Sequence, residues 1–267
     1  MGDQKAPRVA GRWSDLGLRA LSAAVLAPVA LLCIWFGGIA YAVLIVAAGL
    51  ALAAEWLALC SARLLSGPGL AVAVPVLLSG LAASMHRPAL GLVLLALGGA
   101  IVWSWTRRPV LAAGVAYIGI PLVALLWLRG GTSLSGREDV LVLVLLVWAS
   151  DIGAYLVGRL VRGPKLAPAL SPGKTWSGAT GGLAAVAGLG WIVSDTVAGC
   201  LVALLLGVAC QAGDLLESGI KRHFGVKDSG RLIPGHGGLL DRLDGLLAAA
   251  PVAALVVLGG RGGQLWH

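Results

Sequence analysis

Polar residues are so sparse along this chain that nine long apolar runs stand between them. The runs are Leu16–Phe36, Ile39–Cys60, Leu70–Ala83, Ala89–Trp105, Val110–Leu128, Val140–Val161, Ala179–Val193, Ala198–Ser218 and Leu239–Leu258. A helix that crosses a bilayer needs roughly 20 mostly apolar residues. The pattern therefore predicts an all-α, polytopic integral membrane protein of about nine transmembrane helices. The third and seventh runs are short for a full crossing. The first is too long for a signal-peptide core and is expected to remain as an anchor. The predicted organisation is an N-terminal segment 1–15, N-terminal transmembrane helices 16–138, and a C-terminal transmembrane region 139–267.

Composition agrees with this reading. Of 267 residues, 58% are hydrophobic and only 12% charged, against about 25% charged in an ordinary soluble domain. So few charges do not cover a soluble surface of this size. The 40 glycines suit close helix packing in lipid. Cys33, Cys60, Cys200 and Cys210 sit in or beside apolar runs, away from any His and without C-x-x-C spacing, and read as packing residues. Trp103, Trp105, Trp127 and Trp176 read as interfacial belt residues.

Charge settles the orientation. The net charge is +8. Threading nine spans puts 16 Lys and Arg on the side of the amino terminus and 4 on the other. This is a strong positive-inside signal. It places the amino terminus in the cytoplasm and assigns the basic excess to cytoplasmic loops, not to binding a nucleic acid polymer. The two longest cytoplasmic loops are Arg162–Gly178 and Gly219–Gly238, both rich in Gly, Pro and basic residues. No internal repeat supports an inverted-repeat transporter.

The acids at membrane depth carry the chemistry, since each costs at least about 2.5–3.5 kcal/mol there unless paired or hydrated. Asp151 lies midway along the sixth run. Asp214, Glu217, Ser218 and Lys221 form an i, i+3, i+4, i+7 stripe. Asp241 and Asp244 share a face at the start of the ninth run. Two acidic faces at one depth repel unless a cation lies between them, and hard oxygen ligands suit Mg²⁺. Between them run Lys221, Arg222, Lys227 and Arg231, then Pro234-Gly235-His236-Gly237-Gly238. A Gly-rich turn at a helix start is a place for a phosphate. The other loop contributes Lys165 and Ser171-Pro172-Gly173-Lys174-Thr175, which is not a Walker A motif because Pro168 stands where its first Gly belongs. Together these features describe a nucleotide-phosphate site. Glu55, near the end of the second run, is a further acid at membrane depth, and reads first as one that reaches the interface or pairs with a nearby Arg, ahead of a role in the site.

The 27 residues from Ser218 to Asp244 resemble the signature of the phosphatidate cytidylyltransferases, the CDP-diacylglycerol synthases. They carry Ser218, Lys221-Arg222, Lys227-Asp228, Pro234-x-His236-Gly237-Gly238 and Asp241-Arg242-x-Asp244. Ser150-Asp151-x-x-Ala154-Tyr155-x-x-Gly158-Arg159, Ser171-Pro172-x-Lys174-Thr175-x-x-Gly178 and Gly213-Asp214-Leu215 are similar to further family motifs. Gly173 and Ser177 depart from it, standing where the family more often has Lys and Glu.

The resemblance implies that CTP and phosphatidate give CDP-diacylglycerol and pyrophosphate at the inner membrane, with Mg²⁺ as cofactor; one metal, or two with a monovalent cation as the second, both stay open at this level. It also implies a homodimer. Asp214 and Asp244 are then the metal ligands, with Asp241 and Asp151 as second choices. Lys221, Arg222, Lys227 and Arg242 hold phosphates, assisted by Lys174. Ser171, Thr175 and Ser218 line the substrate site, and His236, Gly237 and Gly238 shape the phosphate turn. Two rival readings remain at this level: a cation-coupled transporter using Asp151 and Asp214, and another enzyme of CTP-linked lipid chemistry.

Overall fold

The computed structural model describes residues 11–130, 135–230, 232, 237–260 and 265–266, with side-chain surroundings from residue 24 onward except at 135. Arg231 and His236 lie outside the described residues.

Without water, every backbone N–H and C=O inside a bilayer must be satisfied within its own segment, so the apolar runs become helices. All nine do: α1 (Gly11–Phe36), α2 (Gly38–Leu59), α3 (Gly67–Ser84), α4 (Pro88–Thr106), α5 (Pro109–Gly130), α6 (Ser135–Val161), α7 (Trp176–Ser194), α8 (Val197–His223) and α9 (Leu240–Gly259). Eight of them, α2 to α9, are long and apolar enough to cross a membrane. Ala24–Phe36 forms the apolar end of α1. The two short runs gain length from polar start signals. Ser66 accepts a hydrogen bond from Gly69 N at 3.2 Å and opens α3 just before Pro68. Thr175 does the same for α7 through Gly178 N at 3.1 Å. Both are N-caps, which tolerate polar residues that the middle of a span does not.

The two long loops differ from the sequence reading. Arg162–Gly178 contains an antiparallel hairpin of β1 (Lys165–Ala167) and β2 (Ser171–Thr175), a small exception to an otherwise helical fold. The loop from Gly219 begins inside α8, which runs on to His223. Lys221, Arg222 and His223 form its last turn, where cations complement the helix dipole.

Contacts at the helix ends follow an alternating up-and-down path. Arg108, at the start of α5, donates to the Cys60 carbonyl beyond α2 at 2.6 Å. On the opposite face Arg129, at the end of α5, donates to the carbonyls of Ile34 and Trp35 at 2.7 and 3.1 Å. The most enclosed span is α5, which packs against α2, α3, α4, α6 and α9. The last four helices pack in sequence, α6 on α7, α7 on α8 and α8 on α9. Glycine sets the α6–α7 approach: a Cβ at Gly178 would lie 2.8 Å from the Ala154 carbonyl oxygen. The predicted boundary at 138/139 falls within the first turns of α6.

Candidate active site and metal centre

The site lies where the ends of α8 and α9 meet the hairpin. On α8, Asp214 and Glu217 are three residues apart and face α9, which presents Asp244. One carboxylate oxygen from each of the three lies within 4.8 Å of the others. Glu217 is 1% exposed, and its Oε1 has no hydrogen-bond partner. Asp244 Oδ1 accepts from Gly245 N at 2.8 Å. Three carboxylates this close repel strongly unless a proton or cation lies among them. Hard oxygen donors, one of them buried and unsatisfied, fit a divalent cation that keeps some of its waters.

Two lysines border the cluster. Lys174, on β2, forms an ion pair with Asp214. Lys221, one turn after Glu217 on α8, lies 2.7 Å from Glu217 Oε2 and 2.6 Å from Asp241 Oδ1. Asp151, on α6, is exposed and interacts electrostatically with Asp214, Lys174 and Arg242. The three converging oxygens thus include Glu217 and not Asp151.

Asp241 belongs to a second arrangement. Its Oδ2 accepts from Ser229 N, Ser229 Oγ and Gly238 N, each at 3.0 Å. Beside it Glu55, brought in by α2, is 5% exposed and accepts from Leu239 N and Leu240 N, both at 2.8 Å. Glu55 Oε2 also lies 3.4 Å from Ser229 Oγ. The amides at the start of α9, read from sequence as a phosphate cradle, are therefore engaged by protein carboxylates. The reason is electrostatic: the positive end of a buried helix takes the nearest anion, and here the chain supplies one.

The other sequence-derived candidates divide. Gly237 adopts φ +86, a conformation that favours glycine, and a Cβ there would approach Asp241 Oδ2 at 3.3 Å. Gly238 is committed to Asp241 through its N–H. Thr175 is spent as the cap of α7, and Ser218 is buried. Ser171 opens β2 opposite Ala167. Arg222 is exposed and braces the loops, donating to the carbonyls of Leu170 at 3.3 Å and Val226 at 3.1 Å. Lys227 and Arg242 are exposed.

Residues 17–258 match the model of the cytidylyltransferase family. The chain belongs to that family. It is 41% identical over 252 residues to the phosphatidate cytidylyltransferase of Brucella suis biovar 1 (strain 1330), covering 91% of this chain and 93% of the relative. It is 40% identical over 151 residues to the phosphatidate cytidylyltransferase of Staphylococcus saprophyticus, covering 54% of this chain and 56% of the relative. The family match takes in every acidic and basic side chain of both arrangements.

Two residues gained weight only from the structure. Glu217 was visible as the i+3 partner of Asp214, but nothing in the spacing ranked it above Asp151 as a ligand. Glu55 stands 184 residues before the first amide it accepts from, and no local signal predicts a contact at that distance.

Proposed function

We propose that this chain is a phosphatidate cytidylyltransferase of the inner membrane, with its amino terminus and active site in the cytoplasm. The observation that carries the reading is the Asp214–Glu217–Asp244 cluster flanked by Lys174 and Lys221, in a membrane chain of the cytidylyltransferase family. In the reaction a phosphate oxygen of phosphatidate attacks the α-phosphorus of CTP. One P–O bond forms, the bond to the β-phosphate breaks, and pyrophosphate leaves.

The attacking oxygen is already an anion and needs no general base. The obstacle is the repulsion between two polyanions, so positioning and charge neutralisation supply most of the rate. Asp214, Glu217 and Asp244 would hold the cation, and Mg²⁺ suits them. When bound, such a cation would offset the charge that develops on the leaving group. Lys174 and Lys221 neutralise the carboxylates at rest and are placed to exchange them for phosphate oxygens. Arg242 and Lys227 are exposed and would add positive charge where the anions arrive. Asp241, held by Lys221 and three donors, fixes the angle at which α9 presents Asp244. The cytoplasmic placement is supported by the distribution of Lys and Arg. The homodimer implied by the resemblance belongs to the same proposal and is read from the mass of the detergent-solubilised protein.

The test is turnover of radiolabelled CTP with phosphatidate by the purified protein. CDP-diacylglycerol and pyrophosphate should appear in equal amounts and stop on adding EDTA. Absence of product with excess Mg²⁺ present would overturn the reading.

A further inference from the structure

An apolar cavity of about 350 Å³ lies between α1, α2, α5, α6 and α9. Its volume is at the lower end of the range of small-molecule pockets, about 300–1,000 Å³. On α9 it is lined by Leu239, Arg242, Leu243, Leu246 and Leu247. This is an i, i+3, i+4, i+7, i+8 stripe, distinct from the face that presents Asp241 and Asp244. Among the described residues Arg242 is the one charged member of the lining, and it stands in the first turn of α9, between Asp241 and Asp244. On α6 the lining ends with Trp148, and Asp151 follows one turn later. Arg242 precedes Asp244 by two residues on α9, so this end of the cavity lies beside the acidic cluster.

We infer that this cavity holds one acyl chain of phosphatidate, with Arg242 at its headgroup end, and that its length limits the chains the enzyme accepts. The inference rests on the proposed function and deepens it. Three features favour an acyl chain. The lining is almost wholly hydrocarbon. Its walls carry small residues where a chain would pass, Ala27 and Ala30 on α1 and Ala48 on α2. The α2 wall from Tyr41 to Leu52 is about 16 Å long, close to the depth of one leaflet of a hydrocarbon core about 30 Å thick. The far end is closed by Ile34 and Tyr41, both almost fully buried. Leu26 on α1 and Trp148 on α6 line the cavity and are also 50% and 40% exposed, which marks the α1–α6 seam as the entry from the bilayer.

The energetics fix the kind of selectivity expected. A chain leaving the bilayer for this cavity exchanges one apolar environment for another, so burial gives little net affinity. The cavity therefore selects by excluding chains that do not fit. Narrowing it should penalise long chains and leave short ones untouched.

The experiment compares dipalmitoyl and dioctanoyl phosphatidate with the full-length protein and with its Ala30→Phe and Leu44→Trp variants, both of which fill the far half of the cavity. Either substitution should lower kcat/KM for the dipalmitoyl substrate by about tenfold or more relative to the dioctanoyl one. KM for CTP should stay unchanged. An unchanged ratio, or an equal loss for both substrates, overturns the cavity assignment. A second measurement stands apart from turnover and from the variants' folding. Phosphatidate bearing a diazirine at the end of one acyl chain is photolysed with the unsubstituted protein. Labels should map to cavity residues of α1 and α2, such as Ile34 and Tyr41. Labels confined to outward residues such as Leu97 or Ile101 overturn the assignment. If the unsubstituted protein makes no product from either lipid, the functional reading fails. If it makes product and the labels fall outside, only the cavity reading fails.

Discussion

Asp241 and Asp244 are three residues apart on α9, yet they stand in opposite electrostatic circumstances. Around Asp241 and Glu55 the chain gathers four backbone N–H groups, the Ser229 hydroxyl and Lys221. Around Asp214, Glu217 and Asp244 it provides Lys174, a share of the same Lys221, and one amide at Gly245. The first cluster is complete as it stands. The second keeps a buried carboxylate oxygen without a partner. Buried polar groups are almost always satisfied, and exceptions mark places where something else binds. The comparison separates a group that builds the site from one that works in it, although both include an acid from the first turns of α9.

Substitution of Asp244 should give the largest difference between the clusters. Asp244→Asn keeps the size of the side chain and removes a charge the cation needs. Turnover should fall about a thousandfold, with an unchanged elution profile and melting temperature in detergent. Activity within a few fold of the parent would remove Asp244 from the metal centre. Glu55→Ala should act in the other currency. It leaves two amides at the start of α9 without an acceptor, at a cost of about 2–4 kcal/mol, so the melting temperature should drop markedly. Glu55→Gln should fall between, since its amide oxygen accepts while its NH₂ opposes the second N–H. A Glu55→Ala protein that melts like the parent but is inactive would move Glu55 from the first cluster to the second.

Ion binding then sharpens the contrast. If the unsatisfied cluster takes Mg²⁺, the parent should gain about 2.7 kcal/mol of stability at a hundredfold excess over Kd. Glu217→Gln should lose most of that gain. Asp241→Asn should keep it while lowering the starting stability. A Mg²⁺ shift that survives Glu217→Gln and vanishes in Asp241→Asn would reverse the assignment of the two clusters.

How much of this was readable from residues follows from how far each force reaches. The nine helices were legible because hydrocarbon thickness imposes a minimum length on every apolar run. The Asp214–Glu217–Lys221 stripe was legible because helical geometry fixes which residues share a face. The partnership of Glu55 with Leu239 and Leu240 was not, since it depends on how α2 packs against α9, and only tertiary structure sets that. The hairpin at Lys165–Thr175 was hidden for another reason. Its Pro and Gly residues suggest a loop, and the ladder that pairs β1 with β2 needs only three and five residues. The start of α9 misled because a Gly-rich turn before a helix fits a phosphate and a carboxylate equally well, and the sequence does not reveal which anion arrives first.

The smallest predicted effect tests the edge of the same comparison. Thr175 follows Lys174 directly, and its motif suggests contact with substrate. Its hydroxyl, however, accepts from Gly178 N at 3.1 Å and lies 3.1 Å from Ser177 Oγ, so its role is to start α7. Thr175→Ala should cost about 1 kcal/mol of stability, the usual loss for an N-cap, and Thr175→Ser should restore it. KM for CTP should hardly move in either variant, because Lys174 is held by Asp214 and not by the cap. A rise in KM without a loss of stability would place the hydroxyl on the nucleotide. The completed class of polar groups, to which Asp241 and Glu55 belong, would then lose Thr175 to the working one.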